Sequence, residues 1–181
     1  MYGNMIMEEK TLSSERIFEG RIMNMRVDEV DVGGRKSSRE VCEHCEGVAV
    51  LPITDEGKVV LVSQFRYPFG KVITEAPAGK VDGAEAHLDC AIRELSEETG
   101  YTAESLEYLG FAYPSPGCFT ERIHLYLAKG LKEGSSHPDE GEYVEVSHVD
   151  LKEAIMMCED GRISDAKTVI LILRAARKLG L

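Results

Sequence analysis

The sequence predicts an α+β or α/β fold in which a mixed β-sheet is sandwiched between helices (α/β/α), preceded by an N-terminal β-hairpin extension. Apolar stretches of strand length separated by glycine turns, one amphipathic helix in mid-chain and two further helices at the end support this prediction. A sheet covered by helices accommodates that order of elements. With 181 residues, 43% of them hydrophobic, the chain is long enough for a compact core.

Short apolar stretches bounded by glycine, proline and acidic residues predict the strands. They are residues 16–31, 36–42, 48–54, 58–65, 72–75, 106–113 and 122–128. The first two flank Gly33-Gly34, and the next two flank Asp55-Glu56-Gly57. Each of these two pairs is therefore predicted to form a hairpin.

Helical periodicity predicts three helices. The first covers about residues 86–99. The second begins at Asp150, with Glu153 as its capping-box partner, and ends at Gly161. The third begins near Ser164 and presents one apolar face, formed by Val169, Ile170, Leu173 and Ala176.

The mid-chain helix combines an apolar stripe with a cluster of carboxylates. At about 100° per residue, the stripe consists of Leu88, Ala91, Ile92, Leu95 and Thr99. The opposite side presents Glu94, Glu97 and Glu98. Like charges at this spacing repel one another and need either solvent or a cation. A solvated acidic face is one interpretation, and a Mg²⁺ site is the other, because Mg²⁺ prefers carboxylate oxygens.

The spacing of this segment favours the metal site. The residues that set this spacing are Gly79, Glu85, Arg93, Glu94, Leu95, Glu97, Glu98 and Gly100. At these positions the segment resembles the Nudix box. It departs from the box at Tyr101, where the family usually has an aliphatic residue. The resemblance implies the Nudix fold, an α/β/α sandwich, and a hydrolase that acts on phosphoanhydrides with divalent metal ions.

Composition excludes several classes of function. A net charge of −11 argues against binding to nucleic acid or an anionic membrane, because such binding depends on basic residues. We see no leader pattern in residues 1–10 and no long apolar span, so we expect a cytoplasmic protein. The five cysteines are expected to be reduced, including Cys42 and Cys45, for which a zinc site is the less favoured alternative. The five histidines are predicted to be structural or surface residues.

Residues outside the box resemble the ADP-ribose pyrophosphatase branch of the family. They are Gln64-Phe65-Arg66-Tyr67-Pro68, Glu75-Ala76-Pro77-Ala78-Gly79, and Tyr113-Pro114-Ser115-Pro116-Gly117 with Glu121. Pro116 stands fifteen residues beyond Tyr101, the spacing that is characteristic of this branch. An ordinary rigid turn at Pro114 to Gly117 and a surface charge at Arg66 are the alternatives.

The resemblance implies roles for individual residues. Metal ligands would be the backbone carbonyl of Ala78 and the side chains of Glu94 and Glu98, with Glu85 as an occasional ligand. Glu97 would lie close to the metals, and Arg93 would position the carboxylates, because a guanidinium can hold a carboxylate through two hydrogen bonds. The implied substrate contacts are Arg39 and Glu40 for the adenine or pyrophosphate, Arg66 for a phosphate, and Ser115, Pro116, Gly117 and Glu121 for the terminal ribose.

The acidic segment Asp139-Glu140-Gly141-Glu142 resembles the family's mobile lid. Its glycine would give the loop freedom to move. By resemblance, Glu140 is assigned as the base that activates water and Glu142 as a metal ligand, with the exchanged roles as an alternative. An acidic turn without a special role is the other interpretation.

The predicted function is Mg²⁺-dependent hydrolysis of the pyrophosphate bond of ADP-ribose, or of a closely related nucleoside diphosphate sugar, to AMP and ribose 5-phosphate. Two or three ions per site are expected, with Mn²⁺ as the alternative metal. The alternatives are a GDP- or UDP-sugar pyrophosphatase and a non-catalytic nucleotide-sugar sensor. By resemblance, residues 1–45 form a dimerisation extension with strand exchange in a homodimer, and residues 46–181 form the hydrolase domain.

Overall fold

The computed structural model describes residues 8–137 and 143–181. The described chain forms two compact units, one of residues 8–45 with Ser115–Glu121 and the other of Glu46–Pro114 with Arg122–Leu181. The assignment of residues 1–45 to dimerisation and of residues 46–181 to a hydrolase domain stays a prediction.

An antiparallel sheet forms the first unit, in the order β1 (Lys10–Glu19), β2 (Asn24–Val32) and β3 (Arg35–Glu43). The hairpin around Gly33-Gly34 is observed, and both glycines have positive φ, as tight hairpin turns require. A continuous strand over residues 16–31 was a wrong prediction. The chain reverses at Gly20, whose amide donates to the Met23 carbonyl at 3.1 Å, and β1 and β2 pair as a further hairpin.

The segment Ser115–Glu121 joins the end of β3 within the same unit. The Cys42 amide donates to the Cys118 carbonyl at 2.7 Å, and the Thr120 amide donates to the Cys42 carbonyl at 3.0 Å. These backbone hydrogen bonds fix the loop beside the strand.

Two sheets, rather than the predicted one, form the second unit in the described part of the chain. A mixed sheet has the order β7 (Ala78–Lys80), β4 (Gly47–Pro52), β9 (Ile123–Glu133) and β8 (Tyr101–Ala112), with β4 parallel to β9. The other sheet is antiparallel, with the order β10 (Val144–Asp150), β5 (Lys58–Arg66) and β6 (Lys71–Glu75).

A hairpin of residues 48–54 with 58–65 was therefore also a wrong prediction. The turn itself forms, since the Thr54 amide donates to the Lys58 carbonyl at 2.8 Å and Ile53 pairs with Val59. Beyond this pair, β4 and β5 enter different sheets. β10, which the sequence analysis did not predict, occupies the edge of β5 instead.

Helices cover both faces of β4, every residue of which is buried. Its even-numbered residues Val48 and Val50 belong to an apolar cluster with α1 (His87–Thr99). Ala49 and Leu51 belong to a second cluster, with α2 (Leu151–Glu159) and α3 (Ala166–Lys178). Alternate side chains of a strand point to opposite faces, so β4 lies between two helical layers. The predicted α+β layered fold is confirmed.

The buried faces of two helices differ from those predicted. In α1, Leu88 and Ile92 are 44% and 46% exposed, whereas Cys90 and Glu98 are buried. In α3, Leu173 is 46% exposed, and the buried face consists of Thr168, Leu171, Ile172, Ala175 and Ala176. Both buried faces include polar residues, such as Glu98 and Thr168. A prediction based on apolar residues leaves such positions out, so each predicted stripe lay partly to one side of the observed buried face.

The helix ends follow local side-chain chemistry. Asp150 accepts a hydrogen bond from the Lys152 amide at 2.9 Å, and Asp165 accepts one from the Thr168 amide at 3.0 Å. Gly100 ends α1 in the left-handed region, at φ 76°. These caps satisfy backbone groups that the helices leave without partners.

Candidate active site

The site begins where β7 lies against α1. Glu98 is 6% exposed and accepts a hydrogen bond from the Ala78 amide at 3.1 Å. At Gly79, an added Cβ would fall 1.8 Å from Oε1 of Glu94. The carboxylates of Glu94 and Glu98 therefore both lie against the backbone of β7, and glycine at position 79 leaves the space that Glu94 occupies.

Arg93 joins the remaining carboxylates of the segment. Its Nε and Nη2 each donate to a different oxygen of Glu85, both at 3.1 Å. Its Nη1 donates to Glu94 and to Glu97, both at 2.8 Å. A further bond from Nη2 reaches the Lys80 carbonyl at 3.2 Å. One guanidinium thus holds three carboxylates and the end of β7 in fixed positions.

The electrostatics of the cluster favour ionised carboxylates. Hydrogen bonds donated by Arg93 lower the pKa of Glu85 to about 2, and the acceptance of these bonds by Glu85, together with the charges of the neighbouring carboxylates, raises the pKa of Arg93. Burial raises the pKa of the Cys90 thiol to about 12, so it stays protonated and unreactive. The acids Glu85, Glu94, Glu97 and Glu98 outnumber Arg93, and the positive charge of Arg66 also acts on Glu98.

This donor set fits a hard divalent cation. Carboxylate and backbone carbonyl oxygens are the ligands of Mg²⁺, and the excess of negative charge calls for a positive ion. Glu94 lies beside Gly79, and Glu98 lies beside Ala78, whose carbonyl belongs to the predicted ligand set. The residues present therefore fit the metal that the box implies.

Arg66 lies in an ion-pair network that is partly buried. It forms two hydrogen bonds with Glu75, at 2.6 and 3.0 Å, and Glu75 also pairs with Lys167. Burial opposes ionisation of Glu75, but Arg66 and Lys167 together lower its pKa. The hydrogen bond to Glu75 and, more weakly, the charges of Glu98 and Asp165 raise the pKa of Arg66.

A cavity of about 400 Å³ opens beside this network. Arg66, Lys71 and Lys167 line it, together with Phe69 and Ile73. Sequence reasoning missed Lys167 as a site residue. It stands 92 positions from Glu75, and no local motif joins the two.

The other predicted substrate residues belong to the first unit. Arg39 lies on β3 and binds both carboxylate oxygens of Glu9, at 2.8 and 2.6 Å. Glu40 is exposed on the same strand. Glu121 lies 3.4 Å from His44. The roles expected for this group stay predictions; its members are Arg39, Glu40, Ser115, Pro116, Gly117 and Glu121.

The predicted lid lies outside the described residues. The assignments of Glu140 as the base and Glu142 as a metal ligand therefore stay predictions.

None of the helices in residues 8–137 and 143–181 has the length and apolar character needed to cross a membrane. All five cysteines are free thiols.

Comparison with known proteins agrees with the geometry. A family model of the NUDIX domain matches residues 43–171. The methanol dehydrogenase activator of Bacillus methanolicus is 45% identical over 92% of both chains, and the ADP-ribose pyrophosphatase of Bacillus subtilis is 43% identical over 92% of this chain and 91% of its own. A crystal structure of an ADP compounds hydrolase superposes with a TM-score of 0.85 at 21% identity, covering 96% of each chain, which shows the shared fold. The predicted family is confirmed: the chain belongs to the Nudix hydrolases.

Proposed function

We propose that the protein hydrolyses the pyrophosphate bond of ADP-ribose, or of a closely related nucleoside diphosphate sugar, with Mg²⁺, giving AMP and ribose 5-phosphate. The cluster of carboxylates held by Arg93 beside β7 is the observation that supports this most strongly. The 43% identity to a protein named ADP-ribose pyrophosphatase supports the choice of substrate.

Glu94, Glu98 and the Ala78 carbonyl would hold Mg²⁺, with Glu85 and Glu97 close by and Glu142 contributed by the lid. We propose two or three ions, with Mn²⁺ as an alternative. Bound ions of this kind neutralise phosphate oxygens and lower the pKa of a bound water.

The chain's own residues supply position and charge. Arg93 holds Glu85, Glu94 and Glu97 at fixed distances, which reduces the reorganisation needed when the substrate binds. Arg66, Lys71 and Lys167 line the neighbouring cavity together with the acids Glu75 and Asp165. The three cations outnumber the two acids, and we propose that this lining attracts an anionic pyrophosphate. Water attacks one phosphorus, and Glu140 is proposed as the base that accepts its proton.

A substrate panel tests this proposal. Release of AMP or phosphate is measured with Mg²⁺ and then with EDTA, across ADP-ribose, GDP-mannose, UDP-glucose, NADH and diadenosine polyphosphates at equal concentration. We expect ADP-ribose to lead and EDTA to abolish the rate. If a GDP- or UDP-sugar is hydrolysed fastest, the proposed preference for ADP-ribose is wrong, but the proposed hydrolysis of a pyrophosphate bond stands.

The non-catalytic sensor is tested by Glu98→Gln, with Glu107→Gln as the control. Glu107 pairs with Lys178 at the surface, so its change is expected to leave the rate unaltered. For an enzyme, Glu98→Gln is expected to lower kcat by roughly a hundredfold or more, because a charge-stabilising group in the site is lost. Absence of turnover by the unmodified chain, with tight ADP-ribose binding, would establish the sensor instead.

A second candidate function comes from the relative named methanol dehydrogenase activator, at 45% identity. The same carboxylate cluster would serve if activation depends on hydrolysis. A methanol dehydrogenase assay with the unmodified chain and with Glu98→Gln tests this candidate. Stimulation by the first and not by the second would show that activation requires the cluster, and no stimulation by either would reject the candidate.

We further propose a homodimer formed through residues 1–45, in the cytoplasm. Apolar side chains on and beside β1 are exposed in the single chain, namely Leu12, Ile17, Phe18 and Ile22, and surfaces of this kind mark interaction sites. Arg39 and Glu40 would then serve the partner's site through strand exchange. Sedimentation is expected to show a species heavier than the 20.0 kDa chain; a monomer at micromolar concentration would contradict the dimer.

The proposed location in the cytoplasm agrees with the free cysteine thiols, because thiols stay reduced in that compartment.

A further inference from the structure

A second group of metal-ligating side chains lies in the second unit, apart from the carboxylates of the box. Glu46 precedes β4, His87 is the first residue of α1, and His124 lies in β9. Oε2 of Glu46 stands 2.8 Å from Nε2 of His87 and 3.1 Å from Nε2 of His124. One donor atom from each of the three residues lies within 4.8 Å of the others.

The outer contacts of this group orient its donors. Nδ1 of His124 forms a hydrogen bond with the Tyr108 hydroxyl at 3.0 Å, which leaves Nε2 facing Glu46. Histidine ligands in metal sites are commonly fixed in this way, by a partner on the other ring nitrogen. The second oxygen of Glu46 lies 3.5 Å from Nη1 of Arg122. The carboxylate is therefore held on one side and faces the two imidazoles on the other.

The donor spacing suits a small transition-metal ion. Tetrahedral Zn²⁺ with bonds of about 2.0–2.1 Å holds its donors about 3.3 Å apart. The two separations from Glu46, at 2.8 and 3.1 Å, need to widen by only a few tenths of an ångström. Imidazole with carboxylate is a ligand set of Zn²⁺, Fe²⁺, Ni²⁺ and Cu²⁺, whereas Mg²⁺ prefers oxygen alone.

We propose that Glu46, His87 and His124 form a second metal site, which takes a late first-row divalent ion such as Zn²⁺ and keeps one coordination position open. It differs in chemistry from the carboxylate cluster of the box. The site joins the start of α1 to β9 and to the residue before β4, so a bound ion cross-links three elements of the fold.

Binding requires one local movement. The rings of His87 and His124 are stacked, with centroids 3.6 Å apart and planes 21° from parallel. A nitrogen lone pair lies in the plane of its ring, so two nearly parallel rings cannot both aim at one ion. His124 is buried and held by Tyr108, whereas His87 is partly exposed at a helix end. The His87 ring therefore tilts on binding, and the stack opens.

The test uses the whole chain, stripped with a chelator and returned to buffer with Mg²⁺ so that the box is supplied with its own ion. Zn²⁺ binding is measured by calorimetry, and Co²⁺ is used as a spectroscopic probe of nitrogen and oxygen ligation. We expect one Zn²⁺ per chain, a visible Co²⁺ spectrum without thiolate charge-transfer bands, and a Zn²⁺-dependent rise in Tm.

His87→Gln and Glu46→Gln are the test variants, and His148→Gln is the matched control, because His148 bonds to Tyr101 and not to this group. Each test variant is expected to weaken Zn²⁺ binding about tenfold or more, to lose the Tm rise and to keep its hydrolase activity. Circular dichroism confirms that each is folded. Glu98→Gln is expected to bind Zn²⁺ normally.

The proposal is overturned if the unmodified chain binds no Zn²⁺, or if both folded test variants bind it as tightly as the control. It is also overturned if the Co²⁺ spectrum shows thiolate bands that disappear in Cys42→Ser/Cys45→Ser. That result would assign the ion to the cysteine segment.

Discussion

The Glu94 carboxylate occupies the space beside Gly79 that any other residue's Cβ would fill, with Oε1 only 1.8 Å from that position. The glycine is required by this close approach, since its own φ is not in the left-handed region. Strand β7 and helix α1 therefore pack closely where Gly79 meets Glu94, and Glu94 is a predicted metal ligand.

Gly79→Ala is expected to displace Glu94 and to lower kcat/KM by roughly a hundredfold, because displacements of about 1 Å have costs of this size. The apparent affinity for Mg²⁺ should fall as well. Gly79→Ala/Glu94→Asp, which shortens the acid by one carbon, is the comparison. The double variant should regain the Tm that the clash lowers, without regaining full activity. If Gly79→Ala binds Mg²⁺ as tightly as the unmodified chain, the contact between Gly79 and Glu94 does not position a metal ligand.

Arg93→Lys is expected to weaken Mg²⁺ binding about 10- to 100-fold, since one ammonium cannot reproduce the hydrogen bonds to Glu85, Glu94 and Glu97. Mg²⁺ titration of the rate measures this effect. The control is Arg162→Lys at an exposed pair with Asp160, which should leave the titration unchanged. Identical curves for the two variants would show that Arg93 acts only as a general positive charge.

Acid stability provides a test of the Glu85 contact. The pKa of Glu85 falls from an ordinary value of 4.5 to about 2 in the folded chain, because of the hydrogen bonds from Arg93. Ionised Glu85 therefore stabilises the folded state fully above pH 4.5, and this contribution is lost as the pH falls towards 2.

Urea midpoints measured in EDTA across this pH range should fall more steeply for the unmodified chain than for Glu85→Gln. The substitution removes the titrating group but keeps its size and one acceptor. Parallel curves would mean that Glu85 has the same pKa in the folded and unfolded states.

Thr168 connects α3 to the segment before the box. Its buried hydroxyl accepts a hydrogen bond from the Ala76 amide at 2.7 Å and donates to Asp165 at 2.6 Å. Thr168→Val is expected to destabilise the protein by about 1–3 kcal/mol, the cost of leaving buried polar groups without partners. Thr168→Ser keeps the hydroxyl and should lose much less; chemical denaturation compares the two, and equal losses would indicate a packing effect alone.

Sequence predicted the parts of the site that depend on local spacing. Arg93 reaches Glu97 because positions four apart share a helix face, and Gly100 ends the helix because it adopts a positive φ. The network of Arg66, Glu75 and Lys167 combines a neighbouring-strand contact with one that spans 92 positions, and no periodicity indicates the second.

The errors in the predicted fold also come from contacts between residues that are far apart in the sequence. The turn at Gly57 was predicted from local chemistry and forms, but the partner of β5 is β10, far along the chain. Glu98 is a carboxylate on a buried helix face, where the Ala78 amide binds it, so an apolar pattern could not include it. A buried polar residue of this kind makes the stripe predicted from apolar residues differ from the face that the helix buries.

The hydrogen bond from Ala76 to Thr168 has a consequence for biosynthesis. The ribosome makes the box well before α3, and β4 must also wait for β9 to provide its parallel neighbour. While the nascent chain is incomplete, β4 lacks β9 at its edge, and the face of β4 that packs against α3 stays exposed. Completion of this layer awaits the C-terminal helix, so we expect premature termination before Thr168 to leave a chain with an exposed core face rather than a partly active enzyme.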